Sequence, residues 1–343
     1  MRHVAACRWA LVAAWAAGLA VPAAADDVKV ARDAKGAVRI TGSSGPDHVV
    51  VAPGAAAGSI TVEAGAGTTL NGAADPVEIP ADGALRVALG DGDDVFEIRP
   101  GVDLAALARI DMGAGAATVS VLDATLRGGA DVRLPRGGGA VTIRDCTITS
   151  GNLRVRATDA AATVNLTIER TTLDAGSLVA EGALDHANVV RLRDVGISGG
   201  GVTWRGGEMD DDLSLRFVSA TGRLSVTPGA RGRHKTVVTA CDFDESARVA
   251  GGAGDDTVEI RSPALIGRGL TIDCGRAGTD VVVVENQKIS GPLVVNGSKS
   301  GTTSVTLRSL ELSNGSHFAV RLRHGGGAVL QPVCDGDGRG ERR

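Results

Sequence analysis

Short runs in which apolar and polar residues alternate recur along this chain about every 23 residues. One set begins at Phe96, Val119, Val141, Val164, Val190, Leu213, Val238, Val258, Val281 and Val305, with spacings of 23, 22, 23, 26, 23, 25, 20, 23 and 24 residues. A second set, usually after a Gly, begins at Val132, Leu153, Leu178, Val202, Leu224, Ala247, Leu270, Leu293 and Phe318, with spacings of 21, 25, 24, 22, 23, 23, 23 and 25. A period of two within each run, with many β-branched residues, is the signature of strands. Gly, Asp, Asn and Ser fill the intervals and mark turns. The best helical candidate is only the segment from Val102 to Ile110.

A unit of two or three short strands cannot bury its inner face alone, but stacking on its neighbours closes a continuous core. The expected fold is therefore all-β: a single-stranded parallel β-helix, a solenoid of about ten or more coils of roughly 23 residues. At about 4.8 Å per layer, ten layers make a rod near 50 Å long. A β-propeller fits less well, because a blade needs about 40 residues. Residues 95–330 form the regular part, and 26–94 read as an N-terminal cap with the first irregular coils. Residues 331–343 read as a disordered polar tail, too short and wrongly substituted at Arg339 for an EF-hand.

Composition supports thin stacked layers. There are 49 Gly, no Tyr, four Phe and three Trp, so the core must come from Val, Leu, Ile and Ala. Residues 1–25 read as a signal peptide: Arg2 and Arg8, an uncharged apolar run from Trp9 to Val21, then Ala23, Ala24 and Ala25. That run is shorter than the roughly 20 residues needed to span a bilayer, so export without a membrane span is expected, to the periplasm, the cell surface or beyond. The net charge of −4 argues against nucleic acid as a partner. Export permits disulfides. Even so, Cys146 and Cys241 fall in one strand column four layers apart and Cys274 falls on the second strand, so none of the three should be bridged.

The turns before the first strands carry a Gly–Asp motif. Gly251, Gly252, Gly254, Asp256 and Val258 fit the calcium nonapeptide G-G-x-G-x-D-x-U-x, and Leu89 to Glu97 fits except at its first position. Gly45-Pro46-Asp47 and Gly278-Thr279-Asp280 are shorter remnants. These residues resemble secreted bacterial right-handed parallel β-helix repeat proteins of the pectin-lyase-like fold, with turns distantly like RTX repeats. The resemblance implies calcium as a cofactor, with Asp255, Asp256 and Asp280 as the best ligand set and Asp91, Asp93 and Asp94 as a second cluster. The motif stands singly here, whereas tandem motifs are needed to share an ion. Turn chemistry alone explains the residues: Gly supplies positive φ and Asp bonds the turn backbone. No cofactor is therefore the expectation, with calcium as the alternative.

One feature is not needed for folding. The first strand often ends apolar-x-apolar-Arg, giving Arg99, Arg144, Arg193, Arg216, Arg261 and Arg308 on an outer face, with Leu122, Thr167, Cys241 and Val284 expected in the layers between. Guanidinium forks bind carboxylate or sulfate bidentately, which suggests an acidic polysaccharide as partner. The competing reading is a solvated face, with Glu97 and Glu259 paired to Arg99 and Arg261.

Catalytic residues are not evident. No Ser/His/Asp or metal-ligand spacing is present. The resemblance implies a pectate-lyase-like or polygalacturonase-like enzyme as the alternative. Its candidates are Glu208, Asp210, Asp211 and Asp212 with Arg193 and Arg216, or Asp242, Asp244 and Glu245. The expected function is non-catalytic: an exported β-helix with a structural, adhesive or cell-surface role, binding acidic polysaccharide along the arginine row.

Overall fold

Each coil is built from three parallel strands that pair only with their counterparts in the coils before and after. The computed structural model describes residues 26–135, 137–157, 163–313, 316–322 and 327–330. The expected signal peptide (1–25), the tail 331–343 and Cys334 lie outside the described residues. All regular structure is β, arranged as a parallel solenoid of about ten turns. The Val102–Ile110 segment is no exception, since it forms the strands Asp103–Leu104 and Ala108–Asp111.

One coil shows the plan. A longer strand, Ala117–Leu122, ends at a sharp corner. A short strand, Thr125–Leu126, follows, and a return strand, Ala130–Leu134, completes the circuit. Inward residues alternate with outward ones throughout, as the pleat requires. Phe96, Val119, Val141, Leu166, Val190, Leu213, Thr236, Val258, Val282 and Val305 stack one over another, at steps of 22 to 25 residues. On the return strands Leu85, Ala108, Ala130, Leu153, Leu178, Val202, Leu224, Ala247, Leu270, Leu293 and Phe318 do the same. The short strands supply the third wall through Leu104, Leu126, Ile148, Leu173, Ile197, Ala220, Phe243, Ile266, Ile289 and Leu312, all buried. Burying one such side chain stabilises by about 1.5–3 kcal/mol, so regular stacking replaces the large aromatics the chain lacks.

The register corrects the sequence columns in four places. Leu166, not Val164, pairs with Val141, and Thr236, not Val238, pairs with Leu213. Ala130, not Val132, pairs with Leu153. Val282 is the core residue, whereas Val281 points outward and is 39% exposed. A run of four valines hides the alternation there, and a buried Thr is invisible to a search for apolar residues.

The corner after the longer strand is a column of left-handed residues. Asp123, Asp145, Arg170, Asp194, Phe217, Ala240, Ser262, Asn286 and Ser309 have φ between 44° and 69°. One residue in this conformation turns the chain sharply enough to start the short strand at once. In three coils the pairing continues through it, giving the strands Val164–Leu173, Val189–Ile197 and Asp211–Ala220. The first residues described here depart from the plan, with antiparallel pairings between Asp26–Arg32 and Val38–Thr41 and among His48–Pro53, Ser59–Ala64 and Val77–Pro80.

Candidate functional site: the arginine row and the groove beside it

The outward position at the end of the longer strand is a true row. Leu122, Arg144, Glu169, Arg193, Arg216, Thr239 and Arg261 are successive register partners, and Glu285 pairs with Arg308. Arg99 follows Ile98, the partner of Val121, and so heads the row. The expected intervening residues are correct only at Leu122. Glu169 replaces Thr167, Thr239 replaces the buried Cys241, and Glu285 replaces the buried Val284. Two glutamates thus stand within the row.

Most of these arginines have an acidic partner. Arg99 meets Glu63 at 2.7 Å, Arg144 meets Asp145 at 3.5 Å and Arg193 meets Asp194 at 3.3 Å. Arg261 meets Glu259 at 3.2 Å, as expected, and Arg308 meets Glu285 at 3.4 Å. Glu97 lies 3.4 Å from His48 instead of pairing with Arg99. Arg216 has no ion pair among the described residues; its guanidinium stands 4.9 Å from the ring centre of Phe217. Arg191, two residues before Arg193 on the same outer face, is also exposed and has no ion pair among the described residues. Arg193 and Arg216 in the middle of the row, with Arg191 beside them, are therefore three neighbouring arginines, two of them without a carboxylate partner among the described residues.

The Gly–Asp turns have a mechanical explanation. In each Asp–Asp pair the first carboxylate reaches forward and the second reaches back. Asp93, Asp210 and Asp255 accept the backbone N–H of Ala116, Arg233 and Thr279, one coil ahead, at 2.8, 2.8 and 2.7 Å. Asp94, Asp211 and Asp256 accept the N–H of Asp47, Asn188 and His234, one coil behind, at 2.9, 3.2 and 3.0 Å. Asp280 likewise accepts from Asp256 at 3.1 Å. Asp256 also closes its own turn by accepting the Gly252 N–H at 2.6 Å. Asp256 and Asp280 are buried within the stack, while Asp255 is exposed. No cluster of three or more His, Cys, Asp or Glu with metal-holding geometry is present among the described residues.

The enzyme candidates disperse. Asp211 faces the stack interior, Asp210 pairs with Arg233 at 3.1 Å and Glu208 with Arg231 at 3.7 Å. Asp212 and Arg216 are four residues apart along one strand, about 13 Å. Glu245 turns to Arg268 at 3.7 Å. Asp242 and Asp244 do share a hollow, described next.

Two shallow hollows run along the outer face of the short strands. One, of about 300 Å³, is lined by Thr172, Asp174, Gly196, Ser198, Ser219, Thr221, Asp242 and Asp244, over a floor of Leu173, Ile197 and Ala220. The next, of about 550 Å³, is lined by Asp242, Leu265, Lys288 and Glu311 among others. Asp242 belongs to both, so they form one axial groove parallel to the arginine row, with the left-handed corner between them. From Thr172 to Glu311 it crosses seven layers, about 29 Å. Sequence reading missed this groove because the short strands hold only two or three residues and give no alternation to detect. Trp204 is buried in the core, and among the described residues the exposed aromatic is Phe217.

A rival cationic surface lies on the return strands, where Arg109, Arg133, Arg154, Arg156 and Arg205 project. These are interlocked with Asp111, Asp131 and Glu181 at 2.7 to 3.8 Å and read as a balanced sheet face. No helix of the described residues is long and apolar enough to cross a membrane. Comparison with protein-family models, curated proteins and solved structures gave no significant match.

Proposed function

We propose that the chain is an exported, non-catalytic β-solenoid of pectin-lyase-like type that binds acidic polysaccharide along the arginine face, in a structural or adhesive role at the cell surface. The observation that carries the reading is the cluster of Arg193 and Arg216, in register on adjacent coils, and Arg191, two residues before Arg193, with Arg191 and Arg216 lacking a carboxylate partner among the described residues. Unpaired guanidinium groups on a rigid sheet are preorganised to take carboxylate or sulfate groups in bidentate fashion. Asp255, Asp256 and Asp280 use oxygens on backbone amides, so calcium plays no part in this reading.

The test is a glycan-array screen of the wild type and of a variant with Arg144, Arg193 and Arg216 all changed to Ala, with and without calcium. Binding confined to acidic glycans and lost in the triple variant supports the proposal. Unchanged binding removes it. The alternative, a polysaccharide-degrading enzyme, draws on Asp174, Asp242 and Asp244 lining one hollow. It requires new reducing ends or unsaturated products from a pectin and alginate panel, abolished by Asp242→Asn and Asp244→Asn.

A further inference from the structure

Gly196 occupies an outward position of a strand where nothing in the fold asks for glycine. Its backbone is not left-handed, and an added Cβ would meet nothing closer than Thr172 Cγ2 at 3.8 Å and Ser219 Oγ at 3.9 Å. Apart from Gly45 and Gly327, every other described glycine either has positive φ or would press a Cβ within 3.1 Å of a neighbour. Glycine inside a strand weakens it, and a common reason to keep one is the close approach of another molecule. Here its effect is to open the hollow between Thr172 and Ser219.

Phe217 breaks a local rule one coil further on. It holds a corner position at φ 53°, a conformation that bulky side chains avoid, and it is 46% exposed. The other corner residues are mostly Asp, Asn, Ser or Ala. Strain of this kind costs folding stability and gathers at binding sites. An exposed ring with no core role is a platform for the apolar face of a sugar. Arg216 already rests on it, and Arg193 lies in the adjoining coil.

From these two features we infer that Gly196 and Phe217 form a saccharide subsite that holds one carboxylate-bearing sugar ring of a chain lying along the arginine row, at the rim of the axial groove. The inference rests on the acidic-polysaccharide reading and makes it specific. The ring stacks on Phe217, its carboxylate turns to Arg193 and Arg216, and its hydroxyl edge enters the hollow above Gly196. Asp242 receives hydroxyls there: its Oδ1 is held by the Leu265 N–H at 2.9 Å, and its other oxygen has no protein donor among the described residues.

Both residues are costs to the fold, so both can be replaced by better folders. Gly196→Val fills the hollow and raises strand propensity. Phe217→Asn puts a residue that tolerates the left-handed region at the corner. Titration calorimetry with oligogalacturonate and oligoguluronate, and with a neutral galacto-oligosaccharide as control, is run beside thermal melts. The expected result is binding of a uronate oligosaccharide by the wild type, weakened at least about tenfold in each variant, with melting temperatures unchanged or raised. Wild-type affinity in Gly196→Val and Phe217→Asn, alongside loss in the triple arginine variant, would overturn the subsite and leave the arginine face standing. Failure of the wild type to bind either uronate oligosaccharide overturns both. A lowered melting temperature in Gly196→Val overturns the premise that the glycine is not structural.

Discussion

Asp256 Oδ1 accepts the backbone N–H of His234, one coil earlier, at 3.0 Å. With Oδ2 on the Gly252 N–H, a single buried carboxylate joins two coils and closes a turn. Its neighbour Asp255 fastens the next coil through Thr279. A stack of short coils has weak points at its turns, where no strand pairing holds one layer to the next. The Asp–Asp pairs sit at those points.

Asp256→Ala therefore strands two buried N–H donors and should destabilise by about 3 kcal/mol, since each buried unsatisfied group costs on the order of 1–3 kcal/mol. Asp255→Ala, on the exposed side, should cost well under half as much. Thermal melts of the two variants check this. Equal losses, or a wild-type melting temperature that climbs with micromolar calcium, would show that the pair does something other than staple coils.

The same burial gives a pH dependence of definite sign. Burial pushes Asp94 up to about 6, helped by the charges of Asp47, Asp93 and Asp91. Burial also pushes Asp280 up to about 6, beside Asp256 and Asp255. The folded state then binds more protons than the unfolded chain between about pH 4 and 6, so stability rises as pH falls through this window. His234 acts in the same direction. Burial lowers its affinity for a proton, but Asp211 and Asp256 more than offset this and raise its pKa above 6.5. Its contribution is fully present below 6.5 and is lost as pH rises through the raised value. Below about pH 4 the trend reverses, because Asp103, Asp145 and Asp210, held low chiefly by hydrogen bonds, become protonated. Melting temperature should therefore peak near pH 4 and fall as pH rises from there to about 6, and Asp94→Asn with Asp280→Asn should remove much of that slope. A melting temperature that climbs steadily from pH 5 to 8 would contradict the assignment.

The sequence showed the solenoid plainly because valine-rich alternation is a strong signal. It also showed the arginine row, since Arg144, Arg193 and Arg216 end their strands in the same way. It did not show the glutamates in that row. Glu169 lies in a strand whose apolar start was placed at Val164, two residues early, so Thr167 took its position. The buried column of Asn188, Asp211, His234, Asp256 and Asp280 is not legible as a column, because polar groups inside a stack carry no periodic mark. Phe217 hid for the opposite reason. In Leu213 to Val218 it reads as one more apolar residue, and only the left-handed corner at Phe217 turns it outward.

Cys146, Cys241 and Cys274 are free and buried. Thr171, Val195 and Val218 stand between Cys146 and Cys241 in the column just past the corner. That separation is about 19 Å, against the 4.4–6.8 Å between Cα atoms that a disulfide requires. Cys274 lies just beyond the return strand Leu270–Asp273. Burial pushes the Cys241 thiol up to about 11 and the Cys274 thiol up to about 12, so little thiolate is present near neutrality. The three should resist a thiol reagent in the folded protein and react together on denaturation. A peptide map with a bridge between any two of them would refute the coil assignment.

Glu169 and Glu285 give the last prediction. Glu169 stands in the row between Arg144 and Arg193, and Glu285 pairs with Arg308. An acidic chain lying along the row must pass both carboxylates, and like charges at close range oppose it. Glu169→Gln should therefore strengthen binding of acidic oligosaccharide, by about two- to tenfold at low salt, with the gain shrinking as salt screens it. Glu285→Gln also frees Arg308, and lies farther from the Arg191, Arg193 and Arg216 cluster, so its effect should be smaller for short oligosaccharides and comparable for long ones. Calorimetry with uronate chains of two lengths separates these outcomes. Weaker binding in Glu169→Gln would mean that the ligand meets this glutamate as an acceptor for its hydroxyls, and that the row is read by a neutral sugar instead.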